Sequence, residues 1–360
     1  MKRTICIILC LLFLPVLPAA GAEETGICGD GLVWTVEDGT LTLSGYGDMY
    51  WYDMGSAPWY GLRESIRSAV VEEGVTGLSY CAFFYLTELT EVSLPGSLRT
   101  IADMAFYGCR SLSEITIPAA VRSIGESAFY GCRSLFAIHV DPVNDSFRDD
   151  GGVLYQDTAL LCYLAAKPDV RYEVLPGTEK VESLAFSYCF LQELRFPASV
   201  RSIDHTALTD CYSLASVEIE WGNWYYAAPE GVLYTGDMET LICYPAQKPQ
   251  TSYRIPASVR EVAIRAFAGN PYLRRVDFLG SPETVGSLAF LNCTGLRRVY
   301  FHGDAPESVG FNPFTAETTV FFVEGRNGWS GADTSDWNIR QLLPWTDNRS
   351  LLSCRGRLTQ

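Results

Sequence analysis

The 360-residue sequence predicts one elongated repeat solenoid, rich in strand with short helical turns and closed at both ends. Three observations predict it. An aliphatic residue followed after three positions by Ala-Phe recurs along the chain: Ile101 with Ala105-Phe106, Ile124 with Ala128-Phe129, Val181 with Ala185-Phe186, Val262 with Ala266-Phe267, and Val285 with Ala289-Phe290. Leu78 with Ala82-Phe83, Ile203 with Ala207-Leu208 and a degraded Val309 with Pro313-Phe314 complete the series, so the anchors step by 23, 23, 57, 22, 59, 23 and 24 residues. Three residues after Ala-Phe, or after Ala207-Leu208, six copies carry a Cys or Asn (Cys109, Cys132, Cys189, Cys211, Asn270, Cys293), and an apolar stretch of period two follows, as in Leu112-x-x-Ile115-x-Ile117. Such a unit has one apolar side and cannot bury it alone; stacked copies bury it continuously, with neighbouring strands about 4.8 Å apart.

The elements follow in chain order. Residues 1–22 read as a secretory signal, with Lys2 and Arg3 at the start, an apolar run from Ile5 to Leu17, and the small residues Ala20-Gly21-Ala22 before a cut after Ala22. The expected product is therefore exported, and no later run is long enough to span a bilayer. Residues 23–70 should form a small β cap, in which Thr40-Leu41-Thr42-Leu43-Ser44 alternates as a half-buried strand does and Trp51 and Trp59 supply core. The repeats occupy 71–308, with a closing repeat at 309–345 around Trp329 and Trp345 and a tail at 346–360. The two long steps, at about 141–178 and 220–256, share the phrase Gly-Val-Leu-Tyr (152–155 and 231–234) followed by Leu-x-Cys-Tyr (160–163 and 241–244). That phrase reads as a hairpin that widens or projects from its coil.

These motifs resemble the BspA-like leucine-rich repeat family of secreted and surface proteins of bacteria, over about residues 60 to 320. The start is similar to the cap found in such proteins, in Cys28-Gly29-Asp30-Gly31-Leu32-Val33-Trp34, Gly39 to Gly45 and Ala57-Pro58-Trp59-Tyr60. The resemblance implies a leucine-rich repeat superhelix and a non-enzymatic role in adhesion or in binding host or neighbouring-cell macromolecules. The chain departs from the family in lacking its frequent surface anchors.

Charge narrows the function. Without Lys2 and Arg3, 25 basic side chains face 42 acidic ones, a net charge of −17, which disfavours an extended phosphate-binding surface and hence nucleic acid. The 13% aromatic content excludes disorder. His139, His205 and His302 fall at scattered repeat positions, unsuited to a metal site or a Ser-His-Asp triad. Gly125-Glu126-Ser127-Ala128-Phe129 lacks the closing glycine of a nucleophile elbow, and Gly45-Tyr46-Gly47 lacks the third glycine of a dinucleotide loop. Asp149-Asp150-Gly151-Gly152 reads as a turn in preference to a calcium site. No catalytic, cofactor-binding or metal-ligating residue is assigned. Cys at one repeat position gives stacked thiols with parallel directions, a poor disulfide geometry, so the thiols are expected to be buried and free, with Cys28 and Cys354 outside the set and able to pair. Asn144, Asn292 and Asn348 sit in glycosylation sequences that we treat as incidental.

Function is therefore expected on the outward stripes. Arg99, Arg122, Arg201 and Arg260, with Lys180 close by, form one stripe just ahead of the anchors. Arg274-Arg275 and Arg297-Arg298 lie 23 residues apart at matching sites of successive coils, with Tyr300 beside them, and would present four guanidinium groups to an anionic partner unless Asp277, Glu283 and Glu261 neutralise them. The strand centres Ser93, Thr116, His139, Arg195, Glu218, Asp277 and Tyr300 vary freely, as on an exposed sheet face. Trp221, Trp224, Tyr225 and Tyr226 precede the second insert; packing beneath its hairpin is the favoured reading, and stacking on sugar rings the other. The partner is thus an extracellular protein or glycan. A glycan-degrading protein, with facing carboxylates beside Trp224, and a cell-surface spacer stand as alternatives.

Overall fold

A computed structural model describes residues 24–329 and 338–342. The signal segment, Trp345, the tail, Cys354 and Asn348 lie outside the described residues. Each coil contributes two short strands to two parallel ladders. On one side the eight anchors pair in three separate runs that break ahead of the two inserts: Leu78 stands opposite Ile101, Ile101 opposite Ile124, Val181 opposite Ile203, Val262 opposite Val285 and Val285 opposite Val309. The other holds the period-two strands, such as Glu114–Ile117 beside Ala137–Val140 and Arg275–Phe278 beside Arg298–Phe301. The result is a β-solenoid of about 12 turns.

The Ala-Phe segment explains how a coil closes. The residue before Ala is left-handed in Met104, Ser127, Leu184, Arg265 and Leu288 (φ 55° to 57°), and a second left-handed residue follows four positions later, as at Gly108, Gly131 and Gly269 (φ 76° to 79°). Two such residues break the run of right-handed turns before helical bonds can form. The expected short helical turns are therefore replaced by successive turns; helix among the described residues is confined to two three-residue 3-10 segments, Tyr60–Leu62 and Pro229–Gly231. Each left-handed non-glycine residue costs about 1–2 kcal/mol. Bonds to the next coil offset this cost: the Phe83 and Phe106 amides donate to the Ala105 and Ala128 carbonyls at 2.7 and 2.9 Å. Alanine leaves room for that approach, and the phenylalanines stack in column, Phe83 on Phe106 at 5.0 Å and Phe267 on Phe290 at 4.6 Å between centroids.

The Cys/Asn site works as the sequence suggested. The Cys109, Cys132, Cys211 and Cys293 thiols donate to the carbonyls of Phe83, Phe106, Phe186 and Phe267 in the preceding coil at 3.0–3.1 Å. Asn270 bridges further, from Nδ2 to the Pro245 and Lys248 carbonyls, while its Oδ1 accepts the Tyr272 and Leu273 amides. Nine cysteines are free among the described residues, Cys28 included. Burial pushes the Cys28 thiol up to about 11 and those of Cys162, Cys243 and Cys293 up to about 12. Asn144, in one of the glycosylation sequences, spends its Nδ2 on the Pro118 and Val121 carbonyls at 2.8 and 3.0 Å.

The inserts are hairpins, but they do not project. Val153–Gln156 and Ala159–Tyr163 pair antiparallel, and the second strand joins the anchor ladder with Leu160 opposite Val181. Leu233–Thr235 and Thr240–Cys243 repeat the arrangement, with Leu241 opposite Val262. Both faces of each hairpin are buried. Val153 and Tyr155 pack toward residues 174–217 and Leu154 toward 28–147; Leu233 packs back toward 174–217 and Val232 and Tyr234 toward 255–320. The expected single continuous spine is thus divided into three apolar cores that meet at two hairpin walls. The physical reason is the unbroken Val-Leu-Tyr run, which has no polar face to give to water.

Each hairpin ends in a tyrosine that takes the phenylalanine position: Tyr163 stacks on Phe186 at 5.6 Å and Tyr244 on Phe267 at 4.9 Å. Their hydroxyls differ. Tyr163 donates to Asp169 at 2.8 Å, whereas the Tyr244 hydroxyl is buried with no partner among the described residues. Tyr163→Phe is expected to destabilise by about 1 kcal/mol and Tyr244→Phe to be neutral or stabilising by about 1 kcal/mol, because only the second removes an unmet polar group. Urea unfolding of the two variants checks this; equal losses would show that Tyr244 is bonded.

At the amino-terminal end Glu24–Gly29, Leu32–Glu37 and Thr40–Gly45 form an antiparallel meander whose last strand pairs parallel with Ser68–Val71. Trp59 is fully buried there, its Nε1 donating to the Ala82 carbonyl at 2.9 Å, between Trp34 and Tyr52. Trp51, expected in the core, is instead mostly exposed and lies flat on Tyr80 at 4.7 Å. At the other end Thr319–Val323 pairs with Asn338–Leu342, and Trp329 packs on Phe322.

Candidate interaction surface

The structure brings the four arginines together at the amino ends of adjacent strands, with Arg275 directly opposite Arg298. It does not leave all four free. Arg275 holds Asp277 through Nε and Nη2, both at 2.6 Å, and lies 4.3 Å over the Tyr300 ring. His302 Nε2 adds a contact to Asp277 at 2.9 Å. Burial pushes the Asp277 carboxyl up, but the Arg275 and His302 bonds outweigh it and hold the group below the usual carboxylate range; Asp277 in turn raises Arg275. Asp277 is 4% exposed, so the strand centre expected on an open face is covered here by its own neighbours. Arg274, Arg297 and Arg298 are exposed and have no carboxylate within ion-pair distance among the described residues. Of the other acids expected to neutralise the patch, Glu283 pairs with Arg260 and Glu261 faces His205 at 4.0 Å. Tyr300 is half-buried, stacked on Phe321 at 4.7 Å.

The second stripe is mostly neutralised. Arg122 pairs with Asp145 at 3.3 Å, Arg201 with Glu179 at 3.8 Å, Lys180 with Glu182 at 2.7 Å, and Arg260 with Glu283. These pairs are exposed and worth little singly.

The tryptophans overturn the favoured expectation. Trp221 is 96% and Trp224 88% exposed, and Tyr225 is exposed beside them; Tyr226 alone packs inward, its hydroxyl accepting the Ile203 amide at 2.6 Å. The turn that carries them is held from beneath by Asn223. Its Nδ2 donates to the Val200 carbonyl at 2.8 Å and its Oδ1 accepts the Tyr225 and Tyr226 amides at 2.8 and 3.0 Å. Gly222, at φ 96°, supplies the left-handed residue the turn needs. Asn144 does the same work in the first insert, accepting the Ser146 and Phe147 amides, so the turn is a feature of both inserts and the indoles of the second alone. Beside them opens a shallow cleft of about 460 Å³ that includes Glu220 and Asn223. The indoles follow the carboxyl end of the Ser216–Ile219 strand, whereas the arginines lie at the amino ends of theirs, Arg275 and Arg298 as first residues and Arg274 and Arg297 just ahead.

The family model for the BspA type leucine rich repeat region matches residues 57–149, 172–226 and 243–320 in six copies. The chain belongs to this family. The unmatched stretches 150–171 and 227–242 fall on the two hairpins, which marks them as additions to the BspA-type repeat. Among solved structures, the chain is similar to a leucine rich cell surface protein from Faecalibacterium prausnitzii, at 27% identity and TM-score 0.51, over 67% of this chain and 61% of that one. It is also similar to a leucine-rich repeat protein from Eubacterium ventriosum (19% identity, TM-score 0.48, covering 90% and 86%) and to the pneumococcal vaccine antigen PcpA (15%, 0.49, covering 91% and 100%). A comparison with curated proteins found no match. No helix among the described residues is long and apolar enough to cross a membrane, and none of their His, Cys, Asp and Glu side chains form a group of three able to hold a metal ion. Two features escaped the sequence reading of this BspA-type chain. The His302 contact to Asp277 was signalled only by their 25-residue separation, one coil on, and the exposure of the indoles by the Asn223 turn shared with Asn144.

Proposed function

We propose that the chain is an exported interaction protein that binds an extracellular macromolecule through its repeat surface, with Trp221 and Trp224 at the centre of the contact. The observation that carries this reading is the near-complete exposure of two indoles on a turn made rigid by Asn223. Keeping each in water forgoes on the order of 2 kcal/mol of burial, a cost a partner would recover, and tryptophan is enriched where interfaces draw most of their energy. Arg274, Arg297 and Arg298, with no carboxylate partner among the described residues of a chain of formal charge −15, support a second contact that steers anionic partners. A glycan is favoured as the partner class by the cleft beside the indoles, where Glu220 is the one carboxylate of the lining; that arrangement suits binding better than hydrolysis, which takes two.

Trp221→Ala/Trp224→Ala is expected to weaken capture of the partner, identified on glycan and matrix arrays, at least about tenfold with no change in melting temperature. Unchanged capture by the double variant defeats the reading. Binding that falls with salt in the parent but not in Arg274→Glu/Arg297→Glu/Arg298→Glu assigns the arginines their share.

A further inference from the structure

In the regular coils three alternate amides of the Ala-Phe loop donate to three alternate carbonyls of the next loop. Cys81, Phe83 and Tyr85 donate to Asp103, Ala105 and Tyr107; Met104, Phe106 and Gly108 to Glu126, Ala128 and Tyr130; Arg265, Phe267 and Gly269 to Ser287, Ala289 and Leu291. The next set in the series, the amides of Ser127, Phe129 and Gly131, has no hydrogen-bond partner among the described residues. The cause is the first hairpin. Ile124 and Phe129 are separated by five positions, but Leu160 and its Tyr163 by three, so the hairpin coil lacks the outward loop that would answer those amides. Across the gap, Ala185 accepts the Tyr163 amide at 2.7 Å, while the carbonyls of Ser183 and Ser187 on either side of it accept nothing among the described residues. Between the two walls lies a cavity of about 200 Å³ lined by both loops and by Leu154, Leu161 and Tyr163 of the hairpin. The Ser187 hydroxyl lines it too, 8% exposed and without a hydrogen-bond partner among the described residues. Side chains bridge past both hairpins: the Tyr130 hydroxyl reaches Tyr188 at 3.1 Å and Asp210 at 2.8 Å beyond the first, and Asp210 takes Arg265 at 3.2 Å beyond the second.

We propose that this slot binds a short extended stretch of polypeptide, with small side chains, supplied by a partner. It is a site separate from the Trp221–Trp224 turn. One wall offers three donors at alternate residues, the pattern an extended chain answers along one edge and the one the regular coils satisfy with each other; the other wall adds the carbonyls of Ser183 and Ser187, four residues apart, on either side of the Ala185 carbonyl that Tyr163 already takes. A single anion would need the three amides to converge, and they are spread along the loop instead. The volume exceeds the roughly 150 Å³ that accepts benzene and falls below the roughly 300–1,000 Å³ of drug-sized sites, room for a backbone of about two or three small residues.

The experiment is residue-resolved amide hydrogen exchange on the full chain, free and with the blocked pentapeptide acetyl-Ala-Ser-Ala-Ser-Ala-amide at millimolar concentration. In the free protein the amides of Ser127, Phe129 and Gly131 are expected to exchange at least about 100-fold faster than those of Met104, Phe106 and Gly108, and the peptide to slow them at least about tenfold. Ser183→Trp, at the partly exposed rim, is expected to abolish the slowing, and Ser187→Ala, which changes little volume, to weaken it at least about threefold. Protection in the free protein equal to that of the regular coils overturns the proposal, as does exchange unaltered by the peptide. Slowing by methyl glucoside in place of the peptide overturns it in favour of a sugar.

Discussion

Phe267→Ala is expected to destabilise the protein by about 3–5 kcal/mol, measured by denaturant unfolding. Phe267 is fully buried and stacked on both sides, on Tyr244 at 4.9 Å and on Phe290 at 4.6 Å, with Tyr253 against its edge at 6.1 Å. Truncation removes its own burial and deprives both neighbours of a ring face, and a solenoid gives no distant element that could close the void. Phe129→Ala provides the comparison. Phe129 is 6% exposed, stacks on one side only, on Phe106 at 5.7 Å, and borders the cavity ahead of the first hairpin. Its loss should fall below that of Phe267 by about 1 kcal/mol or more. Equal losses would mean that the column contributes nothing beyond the burial of each ring.

Asn270→Ala is expected to cost about 3 kcal/mol or more, a large effect for removing one small polar side chain. Asn270 is fully buried and satisfies four backbone groups at once: the Pro245 and Lys248 carbonyls at 3.3 and 3.0 Å and the Tyr272 and Leu273 amides, both at 2.9 Å. Each group left unmet in a dry site costs roughly 1–3 kcal/mol, and water has little room to replace the amide. Asn270→Cys installs the side chain that the same position carries in other coils. It should recover only part of the loss, since a thiol has one weak donor where the amide bridges two carbonyls. Full recovery, read as an unchanged urea midpoint, would show that the site asks only for a small buried group.

Much of the architecture could be read from the residues because the stack repeats its chemistry. Every anchor from Leu78 to Val309 pairs with a neighbouring anchor, in three runs that break ahead of the hairpins, and Cys109, Cys132, Cys211 and Cys293 make the backbone contact expected of a short inward side chain. The failures lie where a position departs from the repeat. Val153-Leu154-Tyr155 already carried the sign of two buried faces in having no polar alternation, yet was read as one strand of a hairpin that widens or projects from its coil, without the wall it makes across the core. Asp277 stands at an outward position and is buried all the same, because Arg275, Tyr300 and His302 from its own and the next coil close over it. Periodicity says which way a side chain points but not what folds back across it. For Trp221 and Trp224 packing beneath the hairpin was favoured over stacking on a sugar, although both were candidates for the partner contact. The local turn chemistry of Gly222 and Asn223, which fixes them outward, was the stronger signal. The slot beside Ser127 was invisible for another reason: it consists of backbone groups missing their partners, and no residue type announces that.

The two hairpin walls also bear on how the molecule fails. A stretch that opens on one side of Tyr155 or Tyr234 leaves its neighbour still sealed by the opposite face of the same wall, so damage from a protease or an oxidant is confined to the compartment where it begins.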